Sequence, residues 1–244
     1  MAKVASKVPH AIENPWHLFL AVAPHVRRIL LHGETPGTGK TSAGIALAAA
    51  KEAEAVVITM RDNLLESDLL GHWMPRGKNE VTWHDGPVGY AIRRATDGHK
   101  VVLVFNELDH ASPDATHAAY SLLEDAASAA ARFTLPSGEV LTIPETLTIV
   151  ATQNPDPKET LPLPVLNRFQ VVLDIGSHVS PMILEALPEK FRSMVADGRL
   201  AAREAFAMLS LVAEGCDPYI ATQAVLGADR FKDYGDALAI SLAS

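Results

Sequence analysis

The stretch from Arg28 to Ser42, Arg28-Ile29-Leu30-Leu31-His32-Gly33-Glu34-Thr35-Pro36-Gly37-Thr38-Gly39-Lys40-Thr41-Ser42, decides the fold. An apolar run of strand character (28–32) meets a glycine-bearing loop, and a segment of helical period follows from Thr41 to Glu54. Strand, loop and helix in that order are what a phosphate cradle requires. Gly37 and Gly39 let the backbone curl so that its N–H groups face phosphate oxygens. The helix behind them presents its positive end to the same anion. Lys40 adds a point charge for β- and γ-phosphates, and Thr41 offers a hydroxyl to Mg²⁺. A nucleoside triphosphate is therefore expected on Glu34, Thr35, Pro36, Gly37, Thr38, Gly39, Lys40, Thr41 and Ser42. Glu34 stands where the usual pattern has glycine, so its side chain must point away from the anion.

Working outward, Ala55 to Met60, Val101 to Asn106, Thr146 to Gln153 and Phe169 to Ile175 repeat the short apolar, β-branched character of strands buried on both faces. Amphipathic stretches lie between them, at Thr41 to Glu54, Pro87 to Asp97 and Asp114 to Ala131, with Ala126 to Ala131 read as a helix end. Such alternation predicts a five-stranded parallel sheet, doubly wound with helices on both faces. Pro136-Ser137-Gly138 between two β-prone runs predicts a hairpin. After Ile175 the pattern is helical only. The expected organisation is an α/β domain over 1–176 and a short helical domain over 177–244.

Val101 to Phe105 ends in Asn106-Glu107. A carboxylate at a strand's C-terminal edge beside a phosphate cradle can orient and polarise an attacking water, which makes Glu107 the candidate catalytic acid. Asn106 stands where an aspartate usually helps hold Mg²⁺. It keeps an oxygen but not the charge a hard cation favours, so Thr41 and Asn106 together are expected to bind the metal weakly.

The bulk properties narrow the classes. A chain of 244 residues can bury a real core. Its formal charge of −8 argues against sequence-blind nucleic-acid binding. Arg76, Lys78, Arg93 and Arg94 form one modest basic grouping that could meet an acidic partner. Cys216 is alone, which leaves no cysteine pair for a disulfide or metal cage. Pro9, His10, Glu13 and Asn14 interrupt any signal-peptide core, and no apolar run approaches membrane-spanning length, so a cytoplasmic protein is expected. The ten histidines are scattered; His110 and His117 would share a helix face only if the helix began early.

Several stretches carry a family resemblance. Phe105 to Asp125 (FNELDHASPDATHAAYSLLED) resembles the MoxR-like branch of AAA+ ATPases, and Glu66 to Arg93 (ESDLLGHWMPRGKNEVTWHDGPVGYAIR) is similar to that branch's insertion before a Gly-Pro helix start. Ala151-Thr152-Gln153-Asn154-Pro155 is similar to the sensor 1 strand end, and Leu161 to Phe169 to the segment bearing the arginine finger. The matches run in order over about residues 28 to 176. The resemblance implies ATP with Mg²⁺ and a sheet order 5-1-4-3-2 with a small C-terminal helical lid. It also implies that Asn154 contacts the γ-phosphate or the water. Arg168 would reach a neighbouring subunit's nucleotide, a contribution worth roughly 10³–10⁵ in rate. A finger acting in trans implies a homo-oligomeric ring, a hexamer by analogy. The client would be a protein, in related systems one with a von Willebrand factor A-type domain. Tyr219 occupies the place of the second sensor arginine, with Arg230 a substitute from elsewhere on the lid.

Glu34, Asn106 and Tyr219 all remove permissiveness or charge near the nucleotide, which predicts a slow ATPase that binds well. The competing reading is a nucleotide-gated assembly module with little hydrolysis; a nucleic-acid motor is weighed down by the acidic charge. Trp73-Met74, read as an exposed pair on a loop, could grip a client chain or pack on the body.

Overall fold

The computed structural model describes residues 14–77, 80–123, 132–154 and 161–243. Five strands, β1 (Arg28–His32), β2 (Glu54–Thr59), β5 (Val101–Asn106), β8 (Leu147–Gln153) and β9 (Val171–Asp174), form one parallel sheet in the order β2-β5-β8-β1-β9. This is the expected five-stranded doubly wound arrangement. Two short antiparallel hairpins accompany it, β3 (Gly71–Pro75) with β4 (Val81–Asp85), and β6 (Arg132–Thr134) with β7 (Val140–Thr142).

Burial explains which strands the sequence marks most sharply. Every residue of β8 is buried, and so are the first five of β5, because helices cover both faces of these central strands. β2 and β9 lie at the two edges and alternate in exposure, with Val57 and Val172 turned to solvent. Their apolar signal is correspondingly diluted. β2 starts one residue before the expected Ala55, and β9 is shorter than Phe169 to Ile175.

On one face, helix α1 (Pro15–Val22) and helix α2 (Lys40–Ala50) bury Trp16, Phe19, Ala43 and Leu47 against Ile29, Leu31, Val102, Val104 and Val150. The sequence pattern does not announce α1. Asn14 caps it by accepting from the Trp16 N–H, and the Trp16 indole donates to the His178 carbonyl at 2.7 Å. Gly44 lets α2 lie close on the sheet, since a Cβ there would sit 2.8 Å from a Val104 methyl. α2 ends at Ala50, short of the expected Glu54, because Glu52 takes a left-handed φ of 51°.

The opposite face carries α3 (Glu66–Leu70), α4 (Pro87–Thr96) and α5 (Pro113–Leu122) over Leu30, Leu103, Phe105, Ile149 and Ala151. Ser112 caps α5 by accepting from the Ala115 N–H, with Pro113 at the first helical position. The expected helix end at Ala126 to Ala131 lies outside the described residues. The stretch beginning at Glu66 is a helical turn and the β3–β4 hairpin. Trp73 and Met74 therefore stand on a strand, not on a loop, half-exposed, and Trp73 meets Trp83 edge-on with centroids 5.5 Å apart.

A short turn, α6 (Leu163–Leu166), leads into β9. From Pro181 the described chain is helical: α7 (Pro181–Ala186), α8 (Glu189–Ala196), α9 (Ala202–Ala213) and α10 (Pro218–Ala243), the last interrupted where Gly227 takes a φ of 77°. These helices enclose their own core around Phe191, Val195, Ala205, Met208 and Leu238. Among the described residues no helix is long and apolar enough to cross a membrane.

Candidate nucleotide site

The loop after β1 curls as its glycines allow. Gly37 and Gly39 take φ values of 77° and 102°, the left-handed region in which a side chain is strained. Gly39 is the N-cap of α2, and no side chain caps that helix end, so its first N–H groups remain available to an anion. Thr38, Gly39 and Lys40 are buried, whereas Glu34, Thr35, Pro36 and Ser42 are exposed. Glu34 is thus solvent-accessible. The Lys40 ammonium donates to the Gly33 and Thr35 carbonyls, both at 3.0 Å, and to the Thr38 hydroxyl at 3.4 Å. Burial pulls its pKa down to about 8, against the attraction of Asp109 and Asp174.

Parallel strands bring the acid strand and the sensor strand to the same edge as the cradle. The Thr41 hydroxyl donates to the Asn106 side-chain oxygen, which also accepts from the Thr152 hydroxyl at 3.0 Å. The Asn106 amide reaches the Thr59 hydroxyl at 3.5 Å. Four elements, α2, β2, β5 and β8, are therefore tied through one asparagine. Both expected metal residues, Thr41 and Asn106, are in direct contact.

Glu107 follows with φ 57° and ψ 52°, a left-handed conformation uncommon outside glycine and asparagine. Its N–H donates to the Thr152 hydroxyl at 3.1 Å. The left-handed residue turns the chain at once into a 3₁₀ turn, Leu108–His110, that carries Asp109 back over the end of β8. There the Asn154 N–H donates to the Asp109 carboxylate at 3.1 Å. Burial raises the Asp109 pKa above the ordinary carboxylate range. Buried oxygens of Asp109, Gln153 and Asn154 have no hydrogen-bond partner. Asp109 is not among the residues expected from sequence, although an acid two residues beyond Glu107 is a visible signal.

Arg168 lies on the turn after α6. Its guanidinium donates to the Pro164 carbonyl at 2.8 Å and rests over the Tyr120 ring, 5.8 Å from the centroid. It is half-buried beside α5 in the single subunit.

The helical segment contributes two contacts to the cradle. A Cβ on Gly39 would meet Ile183 and Ser180 at 2.8 and 2.9 Å, and a Cβ on Gly37 would lie 3.6 Å from the Arg203 Nε. Arg203, on the first turn of α9, thus brings a cation to the phosphate loop. The sequence offers Tyr219 for this place, with Arg230 as a substitute; Arg203 is not among the residues expected from sequence. Tyr219 is exposed on the first turn of α10. Arg230 is held away by a fork to Glu204, at 2.5 and 3.1 Å, and by Tyr234. A cavity of about 720 Å³ opens beside the loop, lined by His32, Glu34, Thr35, Gln153, Asp174 and Ser177 among others.

The expected basic grouping does not stand free. Arg93 forks to Asp85 and to Glu139, and Arg94 pairs with Glu54 at 3.1 Å. Arg76 is exposed, and Lys78 lies outside the described residues. His110 falls in the 3₁₀ turn and His117 on α5, so they share no helix; His117 stacks on Tyr120. Among the described residues no three metal-binding side chains cluster.

The sequence profile of the AAA domain, dynein-related subfamily, matches residues 28–169. The crystal structure of a "putative ATPase" from Cytophaga hutchinsonii ATCC 33406 is similar at 22% identity and a TM-score of 0.45. The similarity covers 65% of this chain and 44% of that one, so the chain spans less than half of that protein's length. No curated protein matches the sequence.

Proposed function

This chain belongs to the dynein-related subfamily of AAA domains, and on that premise we propose that it is a slow ATP hydrolase that acts on a partner protein as an oligomer. The donor set fits a Mg²⁺-nucleotide: uncapped N–H groups of α2, the Lys40 ammonium, the Thr41 hydroxyl and the Arg203 guanidinium surround one loop. Mg²⁺, when bound, would neutralise phosphate charge, held by Thr41 and assisted by the neutral oxygen of Asn106. Glu107 would orient and polarise the water, and Asn154 would hold the γ-phosphate or that water by its side-chain amide.

One observation carries the reading. The hydrogen bonds from Thr41 and Thr152 to Asn106, with that from Glu107 to Thr152, fasten cradle, acid and sensor strand into a single network. The test is Mg²⁺-dependent ATP turnover for wild type and Glu107→Gln, with nucleotide affinity measured in parallel. Turnover should fall by at least about 10²-fold at unchanged affinity. Equal turnover in the two proteins would overturn it.

Oligomerisation and the client rest on the MoxR-like resemblance of residues 28 to 176. By that resemblance Arg168 would act as a finger on a neighbouring subunit's nucleotide, which calls for a ring. Trp73 and Met74, half-exposed on β3, support client contact at the β3–β4 hairpin; Trp73→Ala should then abolish client stimulation while sparing nucleotide binding. A client bearing a von Willebrand factor A-type domain, and a cytoplasmic location, are carried by the same analogy. With Arg203 at the loop, slowness rests on Asn106 and Glu34 and no longer on Tyr219.

A second reading, a nucleotide-gated assembly module with little hydrolysis, has one specific support. The Asn106 oxygen already accepts two hydroxyl donors, which leaves it little capacity to assist a cation. Nucleotide-dependent assembly without measurable turnover would favour it.

A further inference from the structure

The end of β5 and the end of β8 are joined by two reciprocal hydrogen bonds. The backbone N–H of Glu107 donates to the side chain of Thr152, at 3.1 Å, and the backbone N–H of Asn154 donates to the side chain of Asp109, also at 3.1 Å. Each partner offers one backbone donor and one side-chain acceptor. Neither bond belongs to the sheet ladder, whose β5–β8 register ends at Phe105 opposite Ala151. The strap therefore begins where strand pairing stops, and it spans the two residues whose spacing hydrolysis would depend on. The left-handed turn at Glu107 is what brings Asp109 within reach of Asn154.

Resting on the ATPase reading above, we propose that Asp109 is a positioning residue, which fixes the backbone of Asn154 relative to Glu107. Asp109 makes no contact with phosphate in this role; it acts through Asn154. The Asp109 oxygen accepts the Asn154 N–H at the same 3.1 Å at which the neutral Thr152 hydroxyl accepts that of Glu107, so the strap requires an acceptor at this place rather than its charge. Its second oxygen and the Asn154 side-chain oxygen are both buried and unpartnered. Acceptors left open in this way suit a site that receives a donor, such as water, beside the strapped backbone.

The experiment compares wild type, Asp109→Ala and Asp109→Asn by amide exchange at Asn154 without nucleotide and by ATP turnover. Loss of the bond in Asp109→Ala should speed exchange at Asn154 about tenfold. The kcat should drop by a similar factor, with KM for ATP within about threefold, since positioning acts on the reacting geometry rather than on binding. Asp109→Asn keeps an acceptor oxygen and should restore both protection and most of the turnover. Unchanged exchange in Asp109→Ala overturns the strap, and faster exchange with unchanged kcat overturns its role in positioning. An Asp109→Asn protein that is protected at Asn154 yet inactive would show that charge, not the strap, matters, and would overturn the proposal even if Asp109→Ala failed to fold. A wild type without turnover would sink the ATPase reading and with it the positioning role, while the exchange comparison would still decide the strap itself.

Discussion

The Arg203 guanidinium lies beside Gly37: a Cβ on the glycine would sit at ordinary contact distance, 3.6 Å, from its Nε. Arg230, the other arginine considered for the lid, is committed to Glu204 and Tyr234. The two predict opposite outcomes. Arg203→Ala should weaken triphosphate binding about tenfold, the scale of one charge-assisted hydrogen bond, with little change in thermal stability. Arg230→Ala should leave binding within about twofold and lower the melting temperature, since it leaves Glu204 without its fork. Equilibrium binding of a fluorescent ATP analogue and thermal unfolding measure both.

Lys40 gives the site a pH dependence. Its pKa is held near 8 by burial, below the 10.5 of the free side chain. Phosphate favours the ammonium, so below pH 8 binding needs no proton, and above pH 8 the protein must take one up. Affinity for ATP should therefore be flat from about pH 6.5 to 7.5 and weaken toward about tenfold per unit above 8. Calorimetry in buffers of different ionisation heat should register the uptake. The same shift acts oppositely on stability: between pH 8 and 10.5 the unfolded chain binds more protons, so the nucleotide-free fold gains stability as pH rises.

In the role proposed for Asn106, its missing charge would set the demand for metal. Asn106→Asp keeps an acceptor for the Thr41 and Thr152 hydroxyls and adds the charge that a hard cation favours. Half-maximal turnover should move to several-fold lower Mg²⁺, and the maximal rate should rise. A Mg²⁺ titration of both proteins decides this; an unshifted midpoint would detach Asn106 from the metal.

Arg93 ties the two hairpins to α4 through Asp85 and Glu139. Burial would raise the Asp85 pKa, but hydrogen bonds from Arg93 and the Trp83 indole outweigh it and hold the carboxyl below its usual range. Arg93→Met should cost about 1–2 kcal/mol at neutral pH, given the partial exposure of the pair, or a few degrees in Tm. A depressed carboxyl contributes stability that is lost as pH falls through its folded value. The wild-type and variant melting curves should therefore converge in acid.

The central strands are legible because β5 and β8 are apolar throughout, and the cradle because its glycines and lysine keep their spacing. Edge strands lose half of that signal to solvent, which is why β2 and β9 differ from their expected boundaries. α1 is hard to read since Asn14-Pro15 and a single turn pair, Trp16 and Phe19, carry too little periodicity. Arg203 is unreadable for another reason. On α9 it is one charged residue of an ordinary amphipathic helix, and only the tertiary path sets it beside Gly37. Arg93 and Arg94 resemble a surface grouping because their partners Asp85, Glu139 and Glu54 are dispersed along the chain.

Thr38 accepts a backbone hydrogen bond from Ser180 at 2.8 Å, a Cβ on Gly33 would come within 2.9 Å of Gly176, and Ile183 crowds Gly39. The first residues of the helical segment are thus tied to the phosphate loop by one main-chain hydrogen bond and by close packing. A hinge placed at 176–180 would have to tear that seam, so any swing of the outer helices must pivot beyond Ser180 or drag the loop along.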